Sequence, residues 1–403
     1  MKLEQLITAM LMVVPSLVFA QAQPTPAPGG PPAGGPPPAL VSPEISADGR
    51  ATFRLRAPNA IEVKVTGFTT PLAMTKDEKG VWSATTEPLA PDIYPYAFTI
   101  DGARVPDPAN AGGYWASAPS GANAGTSTLA IPGVPWTNSD VAHGAVAKHV
   151  YQSPIIGVPE PYYVYTPPGY DPKRKQPYPV LVVLHGLSNN APEWITQAGA
   201  NLTLDNLIAT GKAPPMILIS PSAYGNAQGT RGAAAGFANF TRALLEEILP
   251  QVEKQYNASS KASERAITGL SMGAAQSLLL LNHVDKFEWI GSFSPGFDMF
   301  DPQWPAAGPR VDGQRPVLAN GILERAFPAL DAKVNTKLRL LYVVCGTADD
   351  HLALTRQFRD FLTARQIKLN YVEVPDAGHV WPLWRRQLAE MAQMIFKPAK
   401  RGS

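Results

Sequence analysis

The stretch "ITGLSMGAAQS", residues 267–277, sets one serine at the centre of a G-x-S-x-G pattern. Glycine and serine are common, so the pattern is decided by its flanks. Before it, "RAITGL" reads as a buried strand; after it, "MGAAQSLLLLNHV" reads as a helix. Ser271 therefore falls on a strand-to-helix turn, and Gly269, Gly273 and Ala274 are small enough to let that turn tighten. The start of the helix also aims free N–H groups at the serine and favours negative charge beside it.

A serine hydroxyl is a weak nucleophile at neutral pH and needs a base. Among six histidines, His379 in "VPDAGHVWPLW" fits best, because it directly follows the strand pattern "LNYVEV" and precedes a helix. His143 and His149 lie in an interdomain segment, His185 ends a strand, His283 falls on a helix, and His351 adjoins the candidate acids. The acid that orients the imidazole should follow a strand lying between the two, and "LLYVVCGTADDH" offers Asp349 and Asp350. Serine, aspartate and histidine then follow in the order of α/β-hydrolases. An oxyanion would be met by the backbone N–H groups of Met272, next to the serine, and Leu187, in the loop after "VLVVLHG". His185 would shape that loop rather than exchange protons.

Outward from this centre, strand-length apolar runs alternate with helical stretches: "YPVLVVLH", "MILIS", "RAITGL", "LRLLYVVC" and "LNYVEV". The spacing predicts an α/β fold over 136–403, an α/β-hydrolase catalytic domain with a largely parallel sheet covered on both faces. In "FANFTRALLEEILPQVEKQY", Phe240, Leu244, Leu245, Ile248, Leu249 and Val252 share one helical face. Upstream, over 41–135, "ATFRLRA", "IEVKVTG", "GVWSATT" and "IYPYAFTI" alternate apolar and polar residues between turn signals, which predicts a small all-β immunoglobulin-like sandwich. Residues 21–40 form a Pro/Gly-rich linker, and residues 1–20 read as a signal peptide cleaved after Ala20, placing the protein outside the cytoplasm as a secreted or periplasmic protein. No later segment reaches the roughly 18 apolar residues that span a bilayer.

A net charge of +2 without a Lys/Arg cluster argues against nucleic acid as a partner. The lone Cys345 cannot form an internal disulfide and reads as a small buried hydrophobe. No metal-spaced cluster, dinucleotide fingerprint or phosphate loop is present, so no cofactor or metal is expected.

"YVYTPPGYDPKRKQPYPVLVVLHGLSNNAPEW", "LDNLIATGKAPPMILISPS", "GLSMG", "CGTADD" and "GHVWPLW", in that order, resemble carbohydrate esterase family one, the circle of feruloyl and acetylxylan esterases with the esterase D and enterochelin esterase groups. The resemblance implies Ser271 as nucleophile and His379 as base. Its acid stands three residues after the glycine of "CGTAD", which implies Asp349 rather than Asp350. Ala274 departs from the second glycine usual in the family and should crowd the turn slightly. The sandwich resembles the family-48 carbohydrate-binding module through "FRLRAPNAIEVKV", "GVWSATTEPL", "YPYAFTIDG" and "DPAN". Trp82, Tyr94 and Tyr96 there are core residues sooner than a sugar platform.

The implied activity is a secreted serine esterase acting on carboxylic esters of plant polysaccharide, feruloyl or acetyl, with Trp194 and Trp381 stacking on a phenolic acyl group. Two other readings stand beside it: a periplasmic esterase for a catecholate siderophore, and a non-catalytic carbohydrate-binding protein on a hydrolase fold. On the leading reading the sandwich serves polymer binding and is separable from small-ester turnover.

Overall fold

A computed structural model describes residues 39–110, 125–226, 234–301 and 313–397; the expected signal peptide, and the expected linker up to residue 38, lie outside them. The larger sheet has eight strands: β1 (Ala145–Gln152), β2 (Pro159–Thr166), β3 (Val180–Leu184), β4 (Ile217–Pro221), β5 (Arg265–Gly269), β6 (Trp289–Phe293), β7 (Leu340–Gly346) and β8 (Asn370–Val374). Their spatial order is β1-β2-β4-β3-β5-β6-β7-β8. The sheet is mixed: β2 runs antiparallel to both neighbours, and from β4 to β8 every pairing is parallel.

Why these segments became strands is visible in β3. All five of its residues are buried, with Val180, Val182 and Leu184 in one apolar cluster and Leu181 and Val183 in another. Helices supply the opposing surfaces, Ala234–Ala243 and Leu352–Ala364 to the first cluster, Ala200–Ala209 and Trp381–Met394 to the second. A strand buried on both faces needs an unbroken apolar run, and "VLVVL" provides it. The long helix expected over 237–256 is not regular: a π turn at Leu244–Ile248 divides it, just ahead of Pro250, whose ring removes a backbone donor.

The strands between Glu44 and Val105, with Ser127–Ala130, form two small antiparallel sheets. One joins Glu44–Ile45, Ala51–Arg56, Val81–Thr85 and Thr75–Lys76; the other joins Leu72–Ala73, Val63–Thr66, Ile93–Ile100 and Ala103–Val105, with Ser127–Ala130 also paired to Ile93–Ile100. Phe53, Leu55, Val63, Val65, Trp82, Tyr96 and Phe98 fill the core the sheets share. Trp82 and Tyr96 are buried in that core, and Tyr94 is half-buried at its margin. Leu40–Ser403 is one compact unit, so contacts cross the expected boundary near residue 135 freely. Trp136 donates its indole N–H to Asp92 at 2.8 Å, and Ile93 packs in the same cluster as Trp384 and Leu388. Among the described residues no helix is long and apolar enough to cross a membrane.

Candidate active site

Every candidate group stands just past the carboxyl end of a parallel strand, where ligands gather in open α/β sheets. Leu187 follows β3, Ser271 follows β5, Asp349 follows β7 and His379 follows β8. Ser271 has φ +53° and ψ −116°, in the left-handed half of the map that a non-glycine residue enters only under constraint. Its N–H bonds Phe293 O at 3.0 Å, and its carbonyl accepts the N–H groups of Ala275 and Gly296. Its side chain makes no capping bond to the Met272–Leu279 helix, so the hydroxyl is left for other work. The glycines beside it are sterically required: a Cβ on Gly273 would meet Leu184 O at 2.5 Å, and one on Gly269 would meet Gly273 at 2.6 Å. Ala274 is accommodated, fully buried.

His379 and Asp349 are joined directly. His379 Nδ1 lies 3.0 Å from Oδ2 and 3.1 Å from Oδ1 of Asp349, which is wholly buried. An ionised carboxylate only accepts, so Nδ1 carries the proton and Nε2 is the free acceptor nitrogen. Burial alone would raise the Asp349 pKa, but hydrogen bonds from His351 and His379 outweigh it and hold the carboxyl well below the usual range. Asp350 instead pairs with Arg315 at 3.1 Å and with His351 at 2.8 Å, and its pKa is lowered to about 2 against the pull of burial. Of the two aspartates, Asp349 is the one bonded to His379.

Ser271 and His379 line one pocket of about 430 Å³, together with Leu187, Asn189, Trp381 and Trp384. Leu187 and Met272, the expected oxyanion donors, flank the serine from the pocket loop and from the first position of the following helix. The loop is braced by His185, whose Nδ1 donates to Gly186 O at 2.8 Å while Nε2 accepts the Ala223 N–H at 3.0 Å. Gln276, on the helix behind the serine, in turn donates to Ala223 O at 2.6 Å. Complete burial pushes the His185 pKa down to about 4, so it is a neutral brace.

Trp381 reaches the pocket, but Trp194 does not. Trp194 is 0% exposed, with its indole N–H on Leu184 O at 2.9 Å and its ring edge-on to Trp381 at 5.5 Å. It props Trp381 from below, which corrects the expectation that it stacks on a ligand. Trp384 sets its ring edge-on against His379 at 4.9 Å.

Three features have no counterpart in the motifs. Ile93, Tyr94 and Pro95, from the longest strand of the small sheets, line the same pocket as Ser271. Arg385, 1% exposed, reaches from the last helix to Asp92 at 2.7 Å and to Ile93 O at 3.2 Å, fastening that strand in place. The small sheets are therefore a wall of the pocket and not a detached module. A charge on the apolar side of "WPLWRRQLAEM" was the available signal. Third, His351 joins the aspartates. Asp349, Asp350, His351 and His379 bring donor atoms within 4.8 Å of one another, a set with the right chemistry for a cation. Each of those groups already has a hydrogen-bond partner inside the set, so we read it as a proton network rather than as metal ligands.

Comparison with known proteins gives the chain a family and a fold. Residues 153–395 match the family described as "Putative esterase". An endo-1,4-beta-xylanase/feruloyl esterase of Xylanibacter ruminicola is 29% identical over 370 residues, covering 88% of this chain and 46% of its own length. The chain thus spans about half the length of the curated relatives it matches. Among solved structures, a CE1 ferulic acid esterase from Anaeromyces mucronatus superposes with TM-score 0.54 at 24% identity, covering 66% of this chain and 96% of that one. An enterobactin esterase from Shigella flexneri superposes with TM-score 0.59 at 18% identity, covering 88% and 94%. At such identities these structures establish the fold, an α/β-hydrolase type with a mixed sheet.

Proposed function

Because the chain belongs to the "Putative esterase" family, we propose that it is a serine esterase that releases feruloyl or acetyl groups from plant polysaccharide. The observation that carries the reading is the Asp349–His379 pair facing, across one pocket, a serine held at positive φ. Ser271 Oγ attacks the ester carbonyl carbon while His379 Nε2 takes its proton. The N–H groups of Met272 and Leu187 receive the oxyanion, and the alcohol leaves with the proton that His379 returns. Water then repeats the sequence on the acyl-enzyme. Asp349 stays ionised and holds His379 in the accepting tautomer.

The substrate class rests on the feruloyl-esterase relative, whose match takes in both the sandwich and the hydrolase fold. Trp381 on the pocket wall supports a planar acyl group as the substrate's acid part. Export through residues 1–20 would bring the enzyme to polymers that cannot enter a cell. We read the two small sheets as an immunoglobulin-like unit of the family-48 carbohydrate-binding type. Its burial of Trp82 and Tyr96 leaves Tyr94 as the aromatic of that unit that lines the pocket.

One observation favours a second reading. The enterobactin esterase resembles the chain over 88% of its length, sandwich included, and a pocket walled by the sandwich suits a compact catecholate ester. Turnover of methyl ferulate, acetylated xylan, p-nitrophenyl acetate and a linear catecholate ester decides between them. A preference of about 100-fold in kcat/KM for the catecholate ester, some 2.7 kcal/mol of differential transition-state binding, would replace the feruloyl assignment.

A further inference from the structure

Asp349 does not serve His379 alone. Its Oδ1 also accepts the backbone N–H of His351 at 2.9 Å and His351 Nδ1 at 3.1 Å. The two imidazoles lie flat on one another, 4.4 Å apart and 17° from parallel. We propose that His351 is a positioning residue of the esterase reaction, sharing the Asp349 carboxylate with His379 and thereby setting how strongly that carboxylate holds the proton taken from the serine. This inference rests on the triad reading above.

A buried histidine that merely satisfied two aspartates would not need to lie on the base. His351 is 1% exposed, and its Nδ1 stands between Asp349 Oδ1 and Asp350 Oδ1, at 3.1 and 2.8 Å. Its Nε2 is buried with no partner among the described residues. The charged groups around it are therefore Asp349, Asp350 and His379, with Arg315 behind Asp350 at 3.1 Å. Thr355, from the next helix, donates to its carbonyl at 2.9 Å and pins the backbone.

Two effects follow, and they have one sign. A donor on Asp349 Oδ1 draws charge from the carboxylate and weakens its grip on a protonated His379. Any positive charge on His351, stacked at 4.4 Å, opposes a proton on His379 directly. Burial disfavours that charge, but Asp349 and Asp350 outweigh it and raise the His351 pKa above the ordinary histidine value. In either protonation state His351 competes with His379 for the Asp349 carboxylate and lies stacked on the base. Its two bonds to Asp349 Oδ1 also hold the carboxylate against a rotation that would misdirect His379.

The test compares kcat, KM and the pH profile of kcat/KM on p-nitrophenyl acetate for wild type, His351→Leu, His351→Asn and Ser271→Ala, with the thermal midpoint of each. Asn keeps an N–H donor near the Nδ1 position without a charge or a stacking ring. In His351→Leu the acid limb should move to higher pH by about 0.5–1 unit, and plateau kcat should fall about tenfold with KM within about threefold. His351→Asn should recover kcat to within about threefold and retain part of the upward shift. An acid limb that stays put or moves to lower pH in the folded variants overturns the inference, as does a loss confined to KM. Should the Leu variant fail to fold, the Asn variant must still show the upward shift. Full activity in Ser271→Ala would instead overturn the triad reading itself. An inactive Ser271→Ala with an unmoved acid limb overturns only the role of His351.

Discussion

Acidifying the protein from pH 7 to 4 should destabilise it chiefly through His185. That residue is wholly buried, its Nε2 accepts the Ala223 N–H at 3.0 Å, and its pKa is lowered from 6.5 to about 4. A nitrogen that faces an N–H cannot take a proton without losing that bond and setting donor against donor. Between about pH 6.5 and 4 the unfolded chain therefore binds a proton that the folded chain refuses. Stability falls as pH falls through this window and levels off below it. At about 1.4 kcal/mol per pH unit, the window amounts to about 3 kcal/mol at most. Few other groups act within it, and Glu160, whose carboxyl burial raises above the usual range, works in the opposite direction. Asp349 and Asp350, held well below the usual carboxylate range, lose their contribution only at lower pH, and His351, with its raised pKa, acts above 6.5. His149, also lowered by burial but partly exposed, adds a smaller loss of the same sign. Urea unfolding followed by tryptophan fluorescence at pH 7, 5.5 and 4 measures the effect. His185→Gln supplies an acceptor that does not titrate. The wild type should lose about 3 kcal/mol across the window and the variant about 1 kcal/mol or less. Equal losses in the two proteins, or a wild-type loss under about 1 kcal/mol, would refute the argument.

Ser271→Ala and His379→Ala should each lower kcat by up to about 10⁶-fold, because triad members act as a unit. Asp349→Asn should cost about 10⁴-fold and Asp350→Asn less than about tenfold; steady-state kinetics on p-nitrophenyl acetate that reverse the two would reassign the acid. For wild-type kcat/KM, an imidazole base predicts a fall on acidification through roughly pH 6–7, unchanged by EDTA. Asp92→Ala strands the buried Arg385 guanidinium, and denaturant titration should register a loss of about 3–5 kcal/mol. Deleting the small sheets should abolish methyl ferulate turnover as well as ferulate release from arabinoxylan, even in a truncation that keeps its fold by circular dichroism. Survival of the small-ester activity would mean that Ile93, Tyr94 and Pro95 contribute nothing to the pocket.

What was legible in the chain was whatever is local. Ser271, Asp349 or Asp350, and His379 each stand a few residues past an apolar run of strand length, and a parallel sheet brings such positions to one edge whatever the intervening helices do. The division of labour between Asp349 and Asp350 is not local: it depends on which carboxylate meets a ring 30 residues further along. Trp194 misled because proximity to the motif says nothing about which way an indole faces. Its N–H is spent on Leu184 O, and that bond pulls the ring under the loop. The small sheets read correctly as alternating strands, yet nothing in "IYPYAFTI" announces a pocket wall. That wall exists because Arg385, in the last helix, needs a buried anion and finds Asp92.

The Arg385–Asp92 pair joins residues 293 positions apart in the chain. During synthesis at about 5–20 residues per second, roughly 15–60 s separate the emergence of the two partners. Until the Trp381–Met394 helix leaves the ribosome, the strand carrying Tyr94 has its sheet partners and Trp136 but not Arg385 to fasten it beside Ser271. Catalytic competence is thus deferred until the helix at Trp381–Met394 has been made. A chain interrupted between Ser271 and Trp381 would carry its nucleophile but no finished chamber around it, so the enzyme's own geometry withholds activity from such incomplete products.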